Sequence, residues 1–510
     1  MSMASNKIKM SMVAALAVVL LAGCGSNNSN NAGESSSPAT GEGGGTSSAP
    51  VEVTMMSPYF YKTAPTHGEV LDGIEKLTNA KITINWVPGG SVYWDKLNVT
   101  IASNDLAKVV TGPHPATAQG SVIASAIDSG MFWEIGPYLK DYPNLSRINA
   151  QVLENASYKG KLFGLPRNGV LSRNGMIIRK DWLDKLGLEV PQTVEEIEKV
   201  AMAFATQDPD GNGKADTIGF ATSKSFNGFN EAAVWFGAPN GWGELDGKLA
   251  PTYLFPEYLD TLKYFHRLYE AGAINKDFLM IDENQAKDLV YQGKAGLYSN
   301  LIEPGLMTTM LQSFPKGSEF VNIGAPEGPD GRRTQSDPGY TLLHYFPKSS
   351  VKTEDELKQI LGVFDKWSTK EAQNLTHYGI EGKHYELVDG EVHYLDFQAL
   401  KNETNQNGGL GGDLILKDML YPEHYNTELE KHGLELQKED EQYAIANPAW
   451  TLVSETYSKL SGTLDPIIED ARNMFVLGEL DEAGWNKELE HWRKAGGDKV
   501  IEEMNAATGK

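Results

Sequence analysis

The chain has 510 residues, of which 40% are hydrophobic, and it carries a formal net charge of −23. This charge argues against a nucleic-acid partner, because a phosphate-binding surface needs basic clusters, and against a polybasic contact with anionic lipid. The folded part, about 460 residues long, exceeds one hydrophobic core, so at least two lobes are expected.

The N-terminus carries the pattern of a secretion signal. Lys7 and Lys9 precede an apolar run that is too short to span a bilayer comfortably, which predicts a cleaved signal peptide over residues 1–23. The run ends in "LAGC", which resembles the lipobox of bacterial lipoproteins and implies that Cys24 is diacylated and becomes the mature N-terminus. Two acyl chains hold a protein on a membrane stably. The alternative is an unmodified thiol beside an ordinary signal sequence.

Residues 24–50 consist almost entirely of Ser, Asn, Gly, Ala and Thr. Such a composition buries too little apolar surface to fold, so this segment is predicted to be a flexible tether.

Strands and helices alternate after the tether. The strands are predicted at "VEVTMMS", "KITINWVP" and "LAKVVTG", with helices at "HGEVLDGIEKLTNA" and "YWDKLNVTIASND". This order predicts a parallel α/β sheet with right-handed crossovers. Farther on, Thr193 and Thr353 each precede a Glu by three residues, which predicts the N-terminal caps of two helices with apolar stripes.

Motifs of catalysis are missing from the sequence. It contains no HExxH zinc motif, no GxSxG nucleophile elbow, no GxxxxGK[ST] phosphate loop and no GxGxxG fingerprint. The absence of these motifs weakens the case for an enzyme without excluding one, and we predict that the protein is not an enzyme and has no catalytic residues. A secreted carbohydrate-cleaving enzyme stays open as an alternative, because two catalytic carboxylates need not be close in sequence.

Five segments in this order carry a family resemblance: "YWDKLNVTIASND", "YKGKLFGLPRNGVLSRNGMIIRKDWLDKLGLEVPQTVEEI", "WFGAPNGW", "YQGKAGLYSN" and "PAWTLVSETY". They resemble the extracellular solute-binding proteins of family 1, the lipoprotein components of ABC importers for oligosaccharides. Within that family the chain looks similar to the larger lipoproteins that include the alginate-oligosaccharide binders. The resemblance implies an α/β, two-lobed periplasmic-binding-protein-like (type II) fold with discontinuous lobes and a hinge. The implied first lobe is 51–166 with 340–445, and the second is 167–339 with 446–510.

The same resemblance implies a function. A monomer anchored to the extracellular face of the cell membrane through Cys24 would capture an oligosaccharide between its lobes and deliver it to the permease subunits of an ABC importer. The alternative within binding proteins is a sensor lipoprotein that signals to a membrane kinase. The sequence leaves the charge of the ligand open.

Candidate ligand contacts are aromatic platforms for sugar ring faces and polar groups for their hydroxyls. By family position the platforms are Trp235, Trp242, Tyr298 and Trp450, and the polar candidates are Asn240, Asn300, Glu303, His114 and Arg167. Each aromatic residue could equally belong to the core. His114 follows the end of a predicted strand, where ligands of open α/β sheets bind. Arg167 either clamps a uronate carboxylate or joins the hinge to an acidic neighbour.

The segment "DPDGNGKADTIGF", residues 208–220, has the spacing of a calcium loop. Its donors are the side chains of Asp208, Asp210, Asn212 and Asp216 and the carbonyl of Lys214. In the alginate-binder relatives a loop of this pattern binds calcium, which implies a structural Ca²⁺ ion here. The twelfth position, normally Glu, is Gly219, so water or the Thr217 hydroxyl would replace that ligand. The alternative is an Asx-rich turn without metal.

Overall fold

The computed structural model describes residues 49–59, 63–226, 228–302, 313–404, 417–425 and 427–508. The predicted signal peptide, the predicted lipidation site Cys24 and nearly all of the tether lie outside the described residues. None of the helices in the described part of the chain is long and apolar enough to cross a membrane.

The described strands follow one another in chain order. They are β1 Val51–Tyr59, β2 Ala80–Pro88, β3 Val109–Gly112, β4 Gly164–Asn168, β5 Asn174–Arg179, β6 Ile218–Ala221, β7 Trp242–Leu245, β8 Lys248–Pro251, β9 Ala295–Leu301, β10 Phe320–Ile323, β11 Glu327–Gly328, β12 Gly331–Arg332, β13 Thr334–Gln335, β14 Tyr340–Tyr345, β15 Tyr385–Val388, β16 Glu391–Tyr394 and β17 Ala444–Ile445.

The described α-helices connect these strands and cover the two main sheets. They are α1 Glu69–Thr78, α2 Ser91–Ser103, α3 Ser121–Asp128, α4 Ala150–Asn155, α5 Lys180–Leu186, α6 Val194–Thr206, α7 Phe229–Trp235, α8 Pro256–Glu270, α9 Glu283–Tyr291, α10 Glu354–Trp367, α11 Lys370–Tyr378, α12 Phe397–Glu403, α13 Glu428–Asp440, α14 Glu455–Leu477, α15 Glu482–Trp492 and α16 Asp498–Ala507.

The first sheet has five strands in the order β2-β1-β3-β14-β4. β1 is parallel to both β2 and β3, which confirms the α/β arrangement expected from the sequence. The two remaining strands make the sheet mixed, because β14 runs antiparallel to both β3 and β4.

The second sheet has four strands in the order β10-β5-β9-β6. Only β6 and β9 are parallel, whereas β5 is antiparallel to both β9 and β10. The chain leaves the first sheet between β4 and β5 and returns to it between β13 and β14. These passages lie at residues 169–173 and 336–339.

Two large hydrophobic cores accompany the two sheets. One combines buried residues from 53–165 with others from 340–400, and the other combines residues from 176–323 with others from 449–504. Each core therefore draws on separate stretches of the chain, as in a two-lobed fold with discontinuous lobes.

Helix α13 corrects the boundary expected for the first lobe, which was placed at residue 445. Leu429 at the start of α13 packs with Tyr298 of β9, and its carbonyl accepts a hydrogen bond of 2.7 Å from the Asn322 side chain in β10. At the other end of the helix, the Asp440 carboxylate accepts the backbone N–H of Ala325 at 2.9 Å. The helix is thus fixed to the second sheet, and the third passage between the sheets precedes residue 428.

The predicted helix caps form as expected. The Thr193 hydroxyl accepts the backbone N–H of Glu196 at 3.2 Å, and the Thr353 hydroxyl accepts that of Glu356 at 3.1 Å. Each bond satisfies one backbone donor that the first turn of a helix leaves unpaired.

Candidate functional site

A cavity of about 310 Å³ lies beyond the carboxyl end of β3, where passages between the two sheets meet the first sheet. Its lining combines aromatic rings with small polar groups and prolines. The lining residues are Trp94, Pro113, His114, Thr117, Gln119, Pro338, Tyr340, Thr341 and Trp450. The volume is at the lower end of the range of about 300–1,000 Å³ for ligand pockets.

His114 lies in this cavity two residues after β3 ends, but its ring nitrogens already have backbone partners. Nε2 lies 3.0 Å from the carbonyl oxygen of Ser157, and Nδ1 accepts the N–H of Ala116 at 3.1 Å. Burial lowers the pKa of His114 to about 4, and the bond to Ser157 only partly offsets this effect. The imidazole is therefore neutral near pH 7, and His114 contributes no charge to the lining of the cavity.

Three further aromatic rings surround the cavity. Trp94, in the first turn of α2, stands edge-on to Tyr93, with ring centroids 5.2 Å apart. Tyr340 begins β14 and donates its hydroxyl to the carbonyl of Asn155 at 3.0 Å, which leaves one face of the ring toward His114. Trp450 is half-buried, lies in the turn after β17 and is the third of these aromatic lining residues.

Trp94 and Tyr340 line the cavity but are not among the ligand contacts predicted from sequence. Trp94 lies in the segment predicted as a helix, "YWDKLNVTIASND", and no role was predicted for Tyr340. The available signal was the position of each ring at the edge of an element, Trp94 after two glycines and Tyr340 after the pair Pro338–Gly339.

Two of the predicted aromatic platforms are instead core residues. Trp235 is 2% exposed within the second core, and its indole N–H donates to the Glu231 carboxylate at 2.8 Å. Tyr298 is 1% exposed, because β9 is an inner strand with both faces covered. Neither ring has a face to offer a ligand in this structure, which corrects both assignments.

Asn240 was predicted to hold the ligand, but its side chain connects the segments that pass between the sheets. Its amide N–H₂ group donates to the carbonyl oxygens of Ser336 and Ile445, both at 2.9 Å. Its oxygen accepts the side-chain amide of Gln335, also at 2.9 Å. All of its side-chain polar atoms are used and it is 2% exposed, so the structure assigns it to the junction rather than the cavity.

Glu231 is a second buried anchor of the same junction, and the sequence analysis did not single it out. Its carboxylate accepts the Thr334 hydroxyl at 2.7 Å and the Gln335 N–H at 3.0 Å, in addition to the Trp235 indole. Burial raises the pKa of Glu231 to about 7, although these hydrogen bonds act in the opposite direction. One carboxyl group thus joins α7 to β13.

Arg167 and Trp242 lie outside the residues that line the cavity. Arg167 is 7% exposed in β4, and its positive charge partly offsets the rise in the pKa of Tyr93 that burial causes. Trp242 is half-buried in the β7–β8 hairpin and packs against the second core. Glu303 and the side chain of Asn300 lie outside the described residues.

The predicted calcium loop brings its oxygen donors together. The side-chain amide nitrogen of Asn212 donates to one carboxylate oxygen of Asp210 and one of Asp216, both at 2.9 Å. The Asp208 carboxylate accepts the backbone N–H groups of Gly211, Asn212 and Gly213 at 3.0–3.1 Å. The amide N–H₂ group of Asn212 therefore lies between the carboxylates of Asp210 and Asp216. A hard cation in the same place would find oxygen ligands.

Neither Thr217 nor a Glu in place of Gly219 can supply the twelfth-position ligand of this loop. The Thr217 hydroxyl donates to the carbonyl of Phe204, and the residue is 6% exposed, so it is turned away from the donors. A Cβ atom at Gly219 would lie 2.1 Å from the carbonyl oxygen of Ala201 in α6. The close contact between β6 and α6 therefore excludes the bidentate Glu of a standard loop, and water is the remaining substitute.

Comparison with known proteins identifies the family. The profile of the bacterial extracellular solute-binding proteins matches residues 62–354, which is more than half of the chain. Lipoprotein LipO of Bacillus subtilis (strain 168) is 37% identical over 97% of both chains. The polygalacturonan/rhamnogalacturonan-binding protein YtcQ of the same strain is 36% identical over 96% of this chain and 95% of its own.

Solved structures share the fold at lower identity. The alginate-binding protein AlgQ2 without calcium ion superposes with a TM-score of 0.62 at 17% identity, covering 91% of this chain and 99% of its own. An EF-hand mutant of FusA from S. pneumoniae, in complex with fructo-nystose, superposes with a TM-score of 0.62 at 19% identity, covering 90% and 99%. The family description and the name of YtcQ are those of solute-binding proteins rather than enzymes, in agreement with the prediction that this chain is not an enzyme. The chain belongs to the bacterial extracellular solute-binding proteins.

Proposed function

We propose that this protein binds an oligosaccharide in the cavity beyond β3 and delivers it to the permease subunits of an ABC importer. The observation that carries the proposal is the lining, in which Trp94, Tyr340 and Trp450 surround a space with hydroxyl and amide groups at its edge. Sugar rings present apolar faces that stack on aromatic rings, while their hydroxyls pair with polar side chains.

The lining favours an uncharged sugar unit. None of the nine lining side chains is ionised near neutral pH, since His114 has a pKa of about 4. A uronate carboxylate placed here would lose water without gaining a cationic partner, which is costly in free energy. The relative YtcQ is named for polygalacturonan and rhamnogalacturonan, and the second of these polymers contains neutral rhamnose beside its acidic units. We therefore infer that this cavity takes a neutral unit of the ligand.

The proposed mechanism is closure around the sugar. We assign residues 49–168 and 340–425 to the first lobe, and residues 174–335 and 428–508 to the second. A sugar that contacts Trp450 on one side and His114 on the other binds the closed arrangement more tightly than the open one. It shifts the equilibrium by that difference in affinity alone. The closed form is the one that docks on the permease.

We propose a lipid-anchored, monomeric protein on the extracellular face of the cell membrane. Support comes from the "LAGC" sequence ending at Cys24, from the tether that follows it, and from the name of the relative LipO. Two acyl chains on Cys24 provide the membrane contact, because the net charge of −23 opposes attraction to anionic lipid.

We also propose that the loop over residues 208–216 binds a structural Ca²⁺ ion. Asp208, Asp210, Asp216 and, after rotation of its amide, Asn212 would supply side-chain oxygens, and Lys214 its carbonyl. When bound, calcium would replace the hydrogen bonds that now join these carboxylates to the Asn212 amide and would fix the turn between α6 and β6. With water in place of the twelfth-position ligand, we expect the weak affinity of extracellular calcium sites.

The test is a binding screen with the full chain purified in detergent. Isothermal titration calorimetry would compare rhamnogalacturonan oligosaccharides, oligogalacturonides and neutral fructo-oligosaccharides, each at low and high salt. Mass spectrometry of the recovered sugar would follow every titration. We expect an intact bound oligosaccharide whose affinity changes little with salt, because the contacts at the cavity are uncharged.

Each outcome of the screen is informative. Cleaved sugar would contradict a binding function. Affinity that falls steeply with salt, with a preference for oligogalacturonides, would contradict the neutral unit at this cavity. Failure of every oligosaccharide to bind would contradict the ligand class.

A further inference from the structure

A group of imidazole and carboxylate side chains lies on the β15–β16 hairpin, far along the chain from the residues that line the cavity. Residues alternate between the two faces of a strand. Val392 is fully buried, so Glu391 and His393 on either side of it share the opposite, outer face of β16. Glu386 is paired directly with His393 across the hairpin and therefore extends from the same face.

His424 reaches the same face from a different segment. Residues 422–424 run beside β16, where the Val392 N–H donates to the carbonyl of Pro422 at 2.8 Å and the His424 N–H donates to the carbonyl of Val392 at 3.0 Å. Glu423 pairs with Val392 in a parallel bridge and shares its inward face. His424 consequently extends outward, next to His393.

The three outer side chains are in direct contact. The Nδ1 atom of His424 lies 3.1 Å from a carboxylate oxygen of Glu391. The rings of His393 and His424 lie 4.0 Å apart with an angle of 16° between their planes. One ligand atom from each of the three side chains can be chosen so that all lie within 4.8 Å of one another. The His424 and Glu391 side chains are 40% and 49% exposed, so an ion has access from solvent.

We propose that Glu391, His393 and His424 form a binding site for a divalent transition metal ion such as Zn²⁺. Two imidazoles and one carboxylate are a ligand set that zinc uses, with bonds of about 2.0–2.2 Å and a water molecule in the fourth position. Ligand atoms of a tetrahedral site with such bonds are about 3.4 Å apart. Rotation of the partly exposed imidazoles of His393 and His424 out of their stack would close the remaining distance, and Glu386 is placed to hold the bound water.

A second group of possible ligands, His67, Asp72 and Glu75, does not make an equivalent site. It has one imidazole instead of two. In addition, both carboxylate oxygens of Glu75 are already engaged, one by the ammonium of Lys81 at 3.0 Å and the other by the N–H of Ile82 at 2.8 Å. This group provides a matched control, because His67 contacts a carboxylate at 2.9 Å much as His424 does.

The proposed ion would connect two separate parts of the first lobe. Glu391 and His393 belong to the hairpin, whereas His424 lies four residues before α13, which is fixed to the second sheet. A metal ion bound here would hold the segment that leads into the third passage against the hairpin. Binding to the folded chain alone also stabilises it by mass action.

The test is equilibrium dialysis of the full chain in detergent against micromolar Zn²⁺, with millimolar Ca²⁺ present to occupy the loop over residues 208–216. Zinc per chain is measured by atomic emission for the wild type and for His393→Ala, His424→Ala and His67→Ala. We expect one zinc ion per chain for the wild type and for His67→Ala. For the His393 and His424 variants we expect at least tenfold weaker binding.

Two further measurements make the result specific. Glu391→Gln keeps the shape of an exposed side chain and should weaken zinc binding while leaving the melting temperature without zinc unchanged. The rise in melting temperature on adding zinc should be lost in both histidine variants. The proposal is overturned if the wild type binds no zinc at these concentrations, if the histidine variants bind it as the wild type does, or if His67→Ala abolishes it.

Discussion

Replacement of Glu231 by Gln tests whether a buried carboxyl group holds β13 to the second lobe. The Glu231 carboxylate accepts three hydrogen bonds, from the Trp235 indole, the Thr334 hydroxyl and the Gln335 backbone. Burial nevertheless raises the pKa of Glu231 from 4.5 to about 7, and the negative charge of Asp440 adds to the rise. The folded protein therefore holds this proton more tightly than the unfolded chain does.

The sign and size of the pH dependence follow from that difference. The stability that Glu231 contributes is fully present below pH 4.5 and is lost as the pH rises through about 7. At 1.36 kcal/mol for each pKa unit, the loss between pH 5 and pH 8 amounts to about 2.5 kcal/mol. Glutamine does not titrate, so Glu231→Gln is free of this loss.

The assay is urea unfolding of the full chain and of Glu231→Gln at pH 5 and pH 8, followed by tryptophan fluorescence and circular dichroism. Relative to the wild type, the variant should gain about 2.5 kcal/mol in free energy of unfolding between the two pH values. A difference between the two proteins that stays constant with pH would refute the reasoning. It would mean that the three donors keep Glu231 ionised in the folded state despite its burial.

Three further substitutions have defined outcomes. Gly219→Ala should destabilise the protein by about 1–3 kcal/mol, because its Cβ would meet the carbonyl of Ala201. The control Gly462→Ala, in open space on α14, should not lower the melting temperature. Equal effects of the two substitutions would contradict the packing argument. Asp210→Ala should abolish any rise in melting temperature caused by millimolar Ca²⁺, and a rise that survives would place the calcium elsewhere. Thr353→Ala should lower the free energy of unfolding by about 1 kcal/mol through loss of the α10 cap, and an unchanged urea midpoint would show that the cap contributes nothing.

Sequence periodicity predicted the first half of the fold because its signals are local. The caps at Thr193 and Thr353 and the alternation of strands and helices up to β3 depend on neighbouring residues, and all are found in the structure. The direction of β14 and the placement of α13 depend instead on which distant strand or sheet edge each one meets. Nothing in their own residues specifies that. No direction was predicted for β14, and α13 lies against the second sheet although the first lobe was expected to extend to residue 445.

The same distinction between local signals and distant contacts applies to the candidate site. His114 was expected near a ligand from the general rule about the carboxyl ends of strands, and the cavity does lie there. Trp235 and Tyr298 were given as candidate platforms that could equally belong to the core, because a core aromatic residue and a stacking platform look the same in sequence. The difference arises from tertiary partners, in one case Glu231 and in the other an inner position in the sheet. Contact of His114 or Trp450 with a ligand stays a prediction.

The measurement that tests the account most directly is oligosaccharide binding by Trp450→Ala compared with Trp242→Ala. Trp450 lines the cavity, whereas Trp242 is a half-buried tryptophan of the β7–β8 hairpin that is not part of the lining. With the ligand found in the calorimetric screen, the account predicts at least tenfold weaker binding for Trp450→Ala and nearly unchanged affinity for Trp242→Ala. Loss of binding in Trp242→Ala alone, with wild-type affinity in Trp450→Ala, would contradict the assignment of this cavity as the sugar site.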